Sequence, residues 1–427
     1  MNPDTSEFNF SVPGSENIQR FTLDNGIILL TRENYSSPTF AIHGYLNCGS
    51  FLDPPNKSGL AFFTSLGLMR GTKNRNFLKI YAALETIGAS LGFASSVHHT
   101  SFSGKALVED FAELVNIMAD CILNPVFPTV QIENLRSQLI GNLHQREMDT
   151  GERASLKFDE LLFPGHPYGI PEDGTLETLA NITPHDLQAF HHNYYSPQGM
   201  VIVVVGALNE KRIRETFEVT LGSWNKPANE NRFDFTLPLP PAEGIQEKIY
   251  IQGKSQTDII MGTRGPKRNS PDYFAASLGN NILGQMGLMG RIGTTIREKS
   301  GLAYYAYASL NSWIASGSWE FSAGVNRENL DAVINIILQE VTRFIAEPVT
   351  EEELVDCQSN FIGKLPLSFE SNHGMASAIL KLERFNLGLD YFQVYPDEVM
   401  KITSYDILET ARKYLFPEKF IIVSAGS

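Results

Sequence analysis

Short apolar runs broken by polar, turn-forming residues open the first half, so strands are predicted before helices. FTLDNGIILLTRE sets the hairpin-turn dipeptide Asn25-Gly26 between two β-prone runs, and TFAIHGYLNCGS follows as another strand. The period then changes. Helices are predicted from Gly59 and from Leu78, a half-buried strand over residues 99–107, and a helix over 109–123, where apolar residues recur every three or four positions. MVIVVVG closes the first half as a strand. In the second half KIYIQ and DIIMGTRG read as strands, a helix begins near Asp272, and strands return near Ala303 and Ser318. Strands grouped with strands and helices with helices predict an α+β fold, with a mostly antiparallel sheet under helices in each half.

The two halves repeat each other. ITPHDLQAFHHNYYSPQGMVIVVVG, from Ile182, aligns without a gap with ITSYDILETARKYLFPEKFIIVSAG, from Ile402, matching Asp186 with Asp406, Tyr194 with Tyr414, Pro197 with Pro417 and Gly206 with Gly426. A second pair agrees with small insertions: NPVFPTVQIENLRSQLIGNL from Asn124 and EPVTEEELVDCQSNFIGKL from Glu347. Duplication of one unit accounts for both. The expected division is a domain over 1–225, a linker over 226–247 holding Pro227, Pro238, Pro240 and Pro241, and a domain over 248–427.

Composition narrows the functional classes. A chain of 427 residues, 42% of them apolar, exceeds one core and is expected to be globular. No run of about eighteen apolar residues occurs, and MNPDTSEFNF lacks a basic, apolar leader, which predicts a cytoplasmic protein without a membrane partner. A net charge of -14 without a basic cluster argues against nucleic acid, because phosphate contact needs concentrated Lys and Arg. Cys48, Cys121 and Cys357 are widely spaced and predict free thiols, neither a disulfide framework nor a thiolate metal site. There is no Gly-x-Ser-x-Gly elbow, no P-loop and no dinucleotide fingerprint.

Histidines do not assemble into a metal motif either. His98-His99 on a strand would point to opposite faces, His191-His192 are neighbours on a helix, His144 stands only before Glu147, and His166 lies in a predicted loop.

One segment carries a resemblance. GLAFFTSLGLMRGTKNRN resembles the metal-binding helix of the pitrilysin and insulinase family, the inverzincins that include mitochondrial processing peptidase. In that family His-x-x-Glu-His sits between a Gly-x-Ala start and a Gly-Thr end. The frame stands here as Gly59, Ala61, Gly71 and Thr72. The chemistry needs two imidazoles one helical turn apart to hold zinc and a carboxylate to take a proton from bound water. The three matching positions are Phe62, Ser65 and Leu66, and the family's third ligand, a later glutamate, matches Asn142. All four positions are altered, so no metal is expected in this chain, and Phe62 and Leu66 read as apolar filling of the vacated place.

The resemblance continues through LETIGASLGFASSVHHTSFSGKAL, LLFPGHPYGIPEDGTLETLANIT and LGQMGLMGRIGTTIREKSGLAYYAYASL. The last stretch resembles the motif bearing the family's substrate-binding Arg and Tyr, which match Arg297 and Tyr304. A guanidinium offers paired donors to a peptide carbonyl, and a phenol can donate to the oxyanion formed when water attacks. Gly284, Gly287, Gly290 and Gly293 precede the pair and would lower the wall beside an extended peptide; Gly301 would end the helix between them. Some family members divide zinc and Arg-Tyr between two chains. The resemblance therefore implies the substrate-binding subunit of a heterodimeric zinc metalloendopeptidase, with peptide as substrate, a homologous partner holding an intact His-x-x-Glu-His, and zinc in that partner. The alternative it implies is a silent structural subunit, since the family also supplies core subunits to respiratory complexes.

Overall fold

The computed structural model describes residues 12–227, 236–287 and 290–427. The predicted hairpin is present: β1 (Gln19–Thr22) pairs antiparallel with β2 (Ile28–Glu33), and Gly26 takes the left-handed φ of 90° that the turn requires. With β3 (Thr39–Leu46), β4 (Ser90–Ser95), β5 (Thr100–Leu107) and β6 (Val201–Gly206), these strands form a sheet in the order β1-β2-β6-β3-β5-β4. The second sheet uses β7 (Ile245–Tyr250), β8 (Gln256–Gly265), β9 (Ala303–Ser312), β10 (Gly317–Asn326) and β11 (Ile421–Gly426), in the order β7-β11-β8-β10-β9.

Without β1, the two orders are the same, and each sheet has one parallel pair, β2 with β6 and β7 with β11. The duplication is thus a duplication of topology within an α+β fold. It reaches single hydrogen bonds. Thr183 and Asp186 form a reciprocal capping box at the start of Pro184–Tyr194, and Thr403 and Asp406 form the same box at Ser404–Tyr414, with the Thr backbone N–H 2.8 Å from the Asp carboxylate in both.

Some expectations shift. β7 begins at Ile245, inside the expected linker, because its inward positions alternate with exposed ones from that residue on. His98 and His99 occupy the turn between β4 and β5, so the predicted strand starts one residue later than expected.

Two compact units divide the chain, and they are not consecutive in sequence. The first gathers described residues 12–141, 171–227 and 364–394; the second gathers 142–170, 236–287, 290–363 and 395–427. In the first unit, Val201, Val203 and Val205 of the fully buried β6 join Leu30, Ala41 and Tyr45 against Met375, Ala376, Ile379 and Leu382 of the helix Asn372–Arg384. In the second, Met261, Trp319, Phe321 and Val325 pack with Val333, Ile337, Val341 and Phe344 of the helix Leu330–Ala346. Another helix of that unit, Thr150–Leu162, lies on β8 and β11. Each sheet is therefore covered by a helix from the other half of the sequence.

The exchanged helix of the first unit carries His373, whose Nδ1 lies 2.9 Å from Nε2 of the buried His43 on β3. Burial, with His373 adding to it, lowers the pKa of His43 to about 4. Its folded pKa is below its unfolded value near 6.5, so this contribution to stability is complete above about pH 6.5 and is lost as pH falls toward 4. The expected loss is about 3 kcal/mol over that window. Urea midpoints measured at pH 7 and pH 4.5 should separate more for the unsubstituted chain than for His43→Gln; equal separations would place the sensitivity elsewhere.

Candidate functional site

The helix Leu60–Gly67 starts at Gly59, whose φ of 91° no β-carbon tolerates well. The Asp53 carboxylate accepts from the Gly59 and Ala61 backbone N–H groups, both at 2.8 Å, and so closes the helix start. Burial pushes the Asp53 carboxyl up to about 7 against those amide donors. The helix that resembles the family's metal helix is therefore formed, and the side chains at its matching positions can be placed. Ser65 is fully buried and donates to the Phe62 carbonyl at 2.7 Å; Phe62 and Leu66 are half-buried. Asn142 is exposed on the helix Thr129–Met148. A hydroxyl bonded to its own helix, two hydrocarbon side chains and an amide do not fit zinc, which takes thiolate, imidazole or carboxylate.

The other candidate ligands are dispersed. His191 Nε2 is 2.7 Å from the Ile122 carbonyl, His166 Nδ1 accepts from the Tyr168 backbone N–H at 3.1 Å, and His144 and His192 are exposed. Cys48, Cys121 and Cys357 are buried and free, and burial pushes the Cys48 and Cys121 thiols up to about 12. Among the described residues no group of three or more His, Cys, Asp or Glu converges as a metal site, and no helix is long and apolar enough to cross a membrane.

Arg297 and Tyr304 lie in the second unit around one turn. The sequence predicts a helix up to Gly301; the chain instead forms a short helix, Gly290–Gly293, and then a π-helical turn, Thr294–Lys299. Such wide turns are rare and occur often at functional sites. Ile296 anchors this one in the core, and Gly301 at φ 62° leads into β9. Arg297 is exposed; its carbonyl accepts from the Gly301 backbone N–H at 3.1 Å, and its guanidinium has no hydrogen-bond or ion-pair partner among the described residues.

Tyr304 is set by a β-bulge. Ala303 faces Val325 and Tyr305 faces Gly324, which leaves Tyr304 as the extra residue of β9. A bulge re-aims a side chain, and Tyr304 is 61% exposed. Its hydroxyl donates to Asn326 Oδ1 at 3.1 Å. The neighbouring Tyr305 is held on the other side: its ring crosses Gly324, where an added β-carbon would come within 2.5 Å of it, and its hydroxyl donates to Asp258. Asp258, 3% exposed, also accepts from Gln256 at 2.8 Å and from the Thr150 hydroxyl.

Of the predicted glycines, Gly284 and Gly290 are packing positions. A β-carbon on Gly284 would fall 2.0 Å from the Ala308 backbone nitrogen, and one on Gly290 2.5 Å from the nitrogen of Gly284. Gly287 faces open space. Sequence reasoning missed Asn326 and Asp258. The only signal for Asn326 was an asparagine before REN at a helix start; a lone Asp in an apolar strand was the signal for Asp258.

Comparison with known proteins supplies the remaining findings. Residues 29–157 match the model for insulinase (peptidase family M16), and residues 181–361 match the model for the peptidase M16 inactive domain. An uncharacterized zinc protease of Mycobacterium leprae (strain TN) is 25% identical over 373 residues, covering 86% of this chain and 83% of that protein. One of Bacillus subtilis (strain 168) is 23% identical over 361 residues, covering 84% and 86%. The crystal structure of a peptidase M16 inactive domain from Pseudomonas fluorescens superposes with a TM-score of 0.88 at 25% identity, over 96% of this chain and 98% of that one. A protease from Helicobacter pylori shares the fold, with a TM-score of 0.87 at 18% identity over 97% and 100%.

Proposed function

Because the chain belongs to the insulinase and pitrilysin peptidase family, M16, we propose that it is the substrate-binding, zinc-less member of a two-chain metalloendopeptidase. In this reading a homologous partner with an intact His-x-x-Glu-His holds the zinc and activates water, while Arg297 and Tyr304 of this chain meet the peptide. The observation that supports it is an asymmetry. All four metal positions hold Phe62, Ser65, Leu66 and Asn142, yet Arg297 and Tyr304 both project into solvent without a partner that would neutralise the guanidinium. A solvent-facing guanidinium and a bulge-directed phenol suit a carbonyl and an oxyanion.

Two measurements test the division of labour. The chain purified alone is expected to contain no stoichiometric zinc and to leave unstructured peptides intact; one zinc per chain with chelator-sensitive cleavage would overturn this. Restoring the helix alone, as Phe62→His with Ser65→Glu and Leu66→His, is expected to give no tight zinc binding by equilibrium dialysis. Asn142 still lacks a carboxylate, and Ser65 sits in a fully buried place where a glutamate has no room to be solvated.

A further inference from the structure

The phenol of Tyr304 has one proton, and the structure shows where it goes: to Asn326 Oδ1, 3.1 Å away. While it is given to that oxygen it is not available to an oxyanion. Asn326 is the last residue of β10, its backbone held in register opposite Gln256. It is also the residue before the 3-10 turn Arg327–Asn329, where an asparagine ordinarily turns its side chain in to cap the following amides. Its side chain makes no such cap. It reaches across to β9 instead and meets the residue that the bulge pushes outward.

A primary amide has an acceptor at one end and two donors at the other, in nearly the same shape. With Oδ1 toward Tyr304 the phenol proton is held. A half-turn of the amide brings Nδ2 against the phenol oxygen, which then accepts, and the proton is released outward with a stronger tendency to donate because hydrogen bonds in a chain polarise one another. Tyr305, bonded to Asp258 beneath, fixes the backbone of the bulge, so the change is confined to the phenol and the amide.

We propose that Asn326 is a positioning residue for Tyr304, and that the orientation of its amide decides whether the phenol proton is stored or offered to the peptide oxyanion. The proposal rests on the reading that Tyr304 acts on bound peptide, and its test separates the two. Asn326→Ala and Asn326→Asp chains are assembled with the zinc-bearing partner, complex formation is confirmed by size, and kcat and KM are measured across pH. Aspartate has the shape of asparagine and can only accept when ionised. Asn326→Asp should therefore lower kcat at neutral pH at least about tenfold with little change in KM, in the range of a lost oxyanion donor. Asn326→Ala, which frees the proton and loosens the ring, should cost only about threefold. The deficit of Asn326→Asp relative to the unsubstituted complex should shrink below about pH 5, as the new carboxyl approaches its ordinary pKa near 4 and regains a donor.

A structural role predicts the reverse order, because alanine disturbs packing more than the isosteric aspartate. Added to Tyr304→Phe, Asn326→Asp should cost nothing further; a further loss would mean that its charge acts on the site directly and would overturn the proposal. Alanine as harmful as aspartate, or full activity in Asn326→Asp, also overturns it. If Tyr304→Phe is impaired and Asn326→Asp is not, only the role of Asn326 fails. If Tyr304→Phe retains full activity, the reading of the site fails first.

Discussion

Complexes assembled with Tyr304→Phe are expected to hydrolyse peptide about ten- to a thousandfold more slowly than those with the unsubstituted chain, the range for loss of one oxyanion donor. The ring keeps its place on β9, since only the hydroxyl and its bond to Asn326 are removed. Folding and pairing should be unaffected. Arg297→Ala should raise KM as well as lower kcat, because a carbonyl clamp acts before and during the chemical step. Arg297→Lys should recover little: one ammonium does not reproduce two coplanar donors. The measurement is peptide hydrolysis at saturating substrate after complex formation has been checked by size. Full activity in both Tyr304→Phe and Arg297→Ala would favour the silent structural subunit.

The second large effect concerns the exchanged helices. A fragment ending at residue 227 keeps β6 but lacks Met375, Ala376, Ile379 and Leu382, so Val201, Val203 and Val205 lose their cover. A fragment from 236 onward lacks Thr150–Leu162, and with it Phe158 and the Thr150 bond to buried Asp258. Stripping a core-sized apolar face costs several kcal/mol, comparable with the whole stability of a domain. Each fragment expressed alone is expected to aggregate or to show no cooperative unfolding, and co-expression of the two should give a soluble complex with native-like circular dichroism. A well-folded fragment of either half would show that the exchanged helix is dispensable to it.

That exchange was not legible in the sequence. The helix Thr150–Leu162 announces a buried stripe through Ala154, Phe158 and Leu162, but a stripe specifies a face and not the sheet it meets. The repeat from Ile182 and Ile402 was legible, because a capping box and a closing strand are written locally, and the structure repeats both. β4 escaped because SLGFAS is short and its buried positions are only Phe93 and Ser95. β7 was legible as KIYIQ, but its start at Ile245 was not, because that end follows closely on Pro240 and Pro241. At the site, the positions of interest could be named from motif alone, but their geometry could not. TTIREK reads as an ordinary helix, and nothing in AYYAY marks Tyr304 as the residue a bulge turns outward. Asn326, 22 residues from its phenol, became visible only once β9 and β10 were paired.

The order in which the chain emerges during synthesis gives the exchange a further meaning. β6 leaves the ribosome roughly 180 residues before the helix Asn372–Arg384 that covers it. At about 5–20 residues per second, the valine-rich face of the first sheet waits roughly 10–40 seconds for its lid. A nascent chain in that interval exposes a flat apolar surface, the kind that chaperones hold and that pairs wrongly with other chains. Production of this protein should therefore depend on elongation rate and on holdase supply over that stretch, and codon changes between residues 206 and 372 should alter its soluble yield without altering a single contact in the folded state.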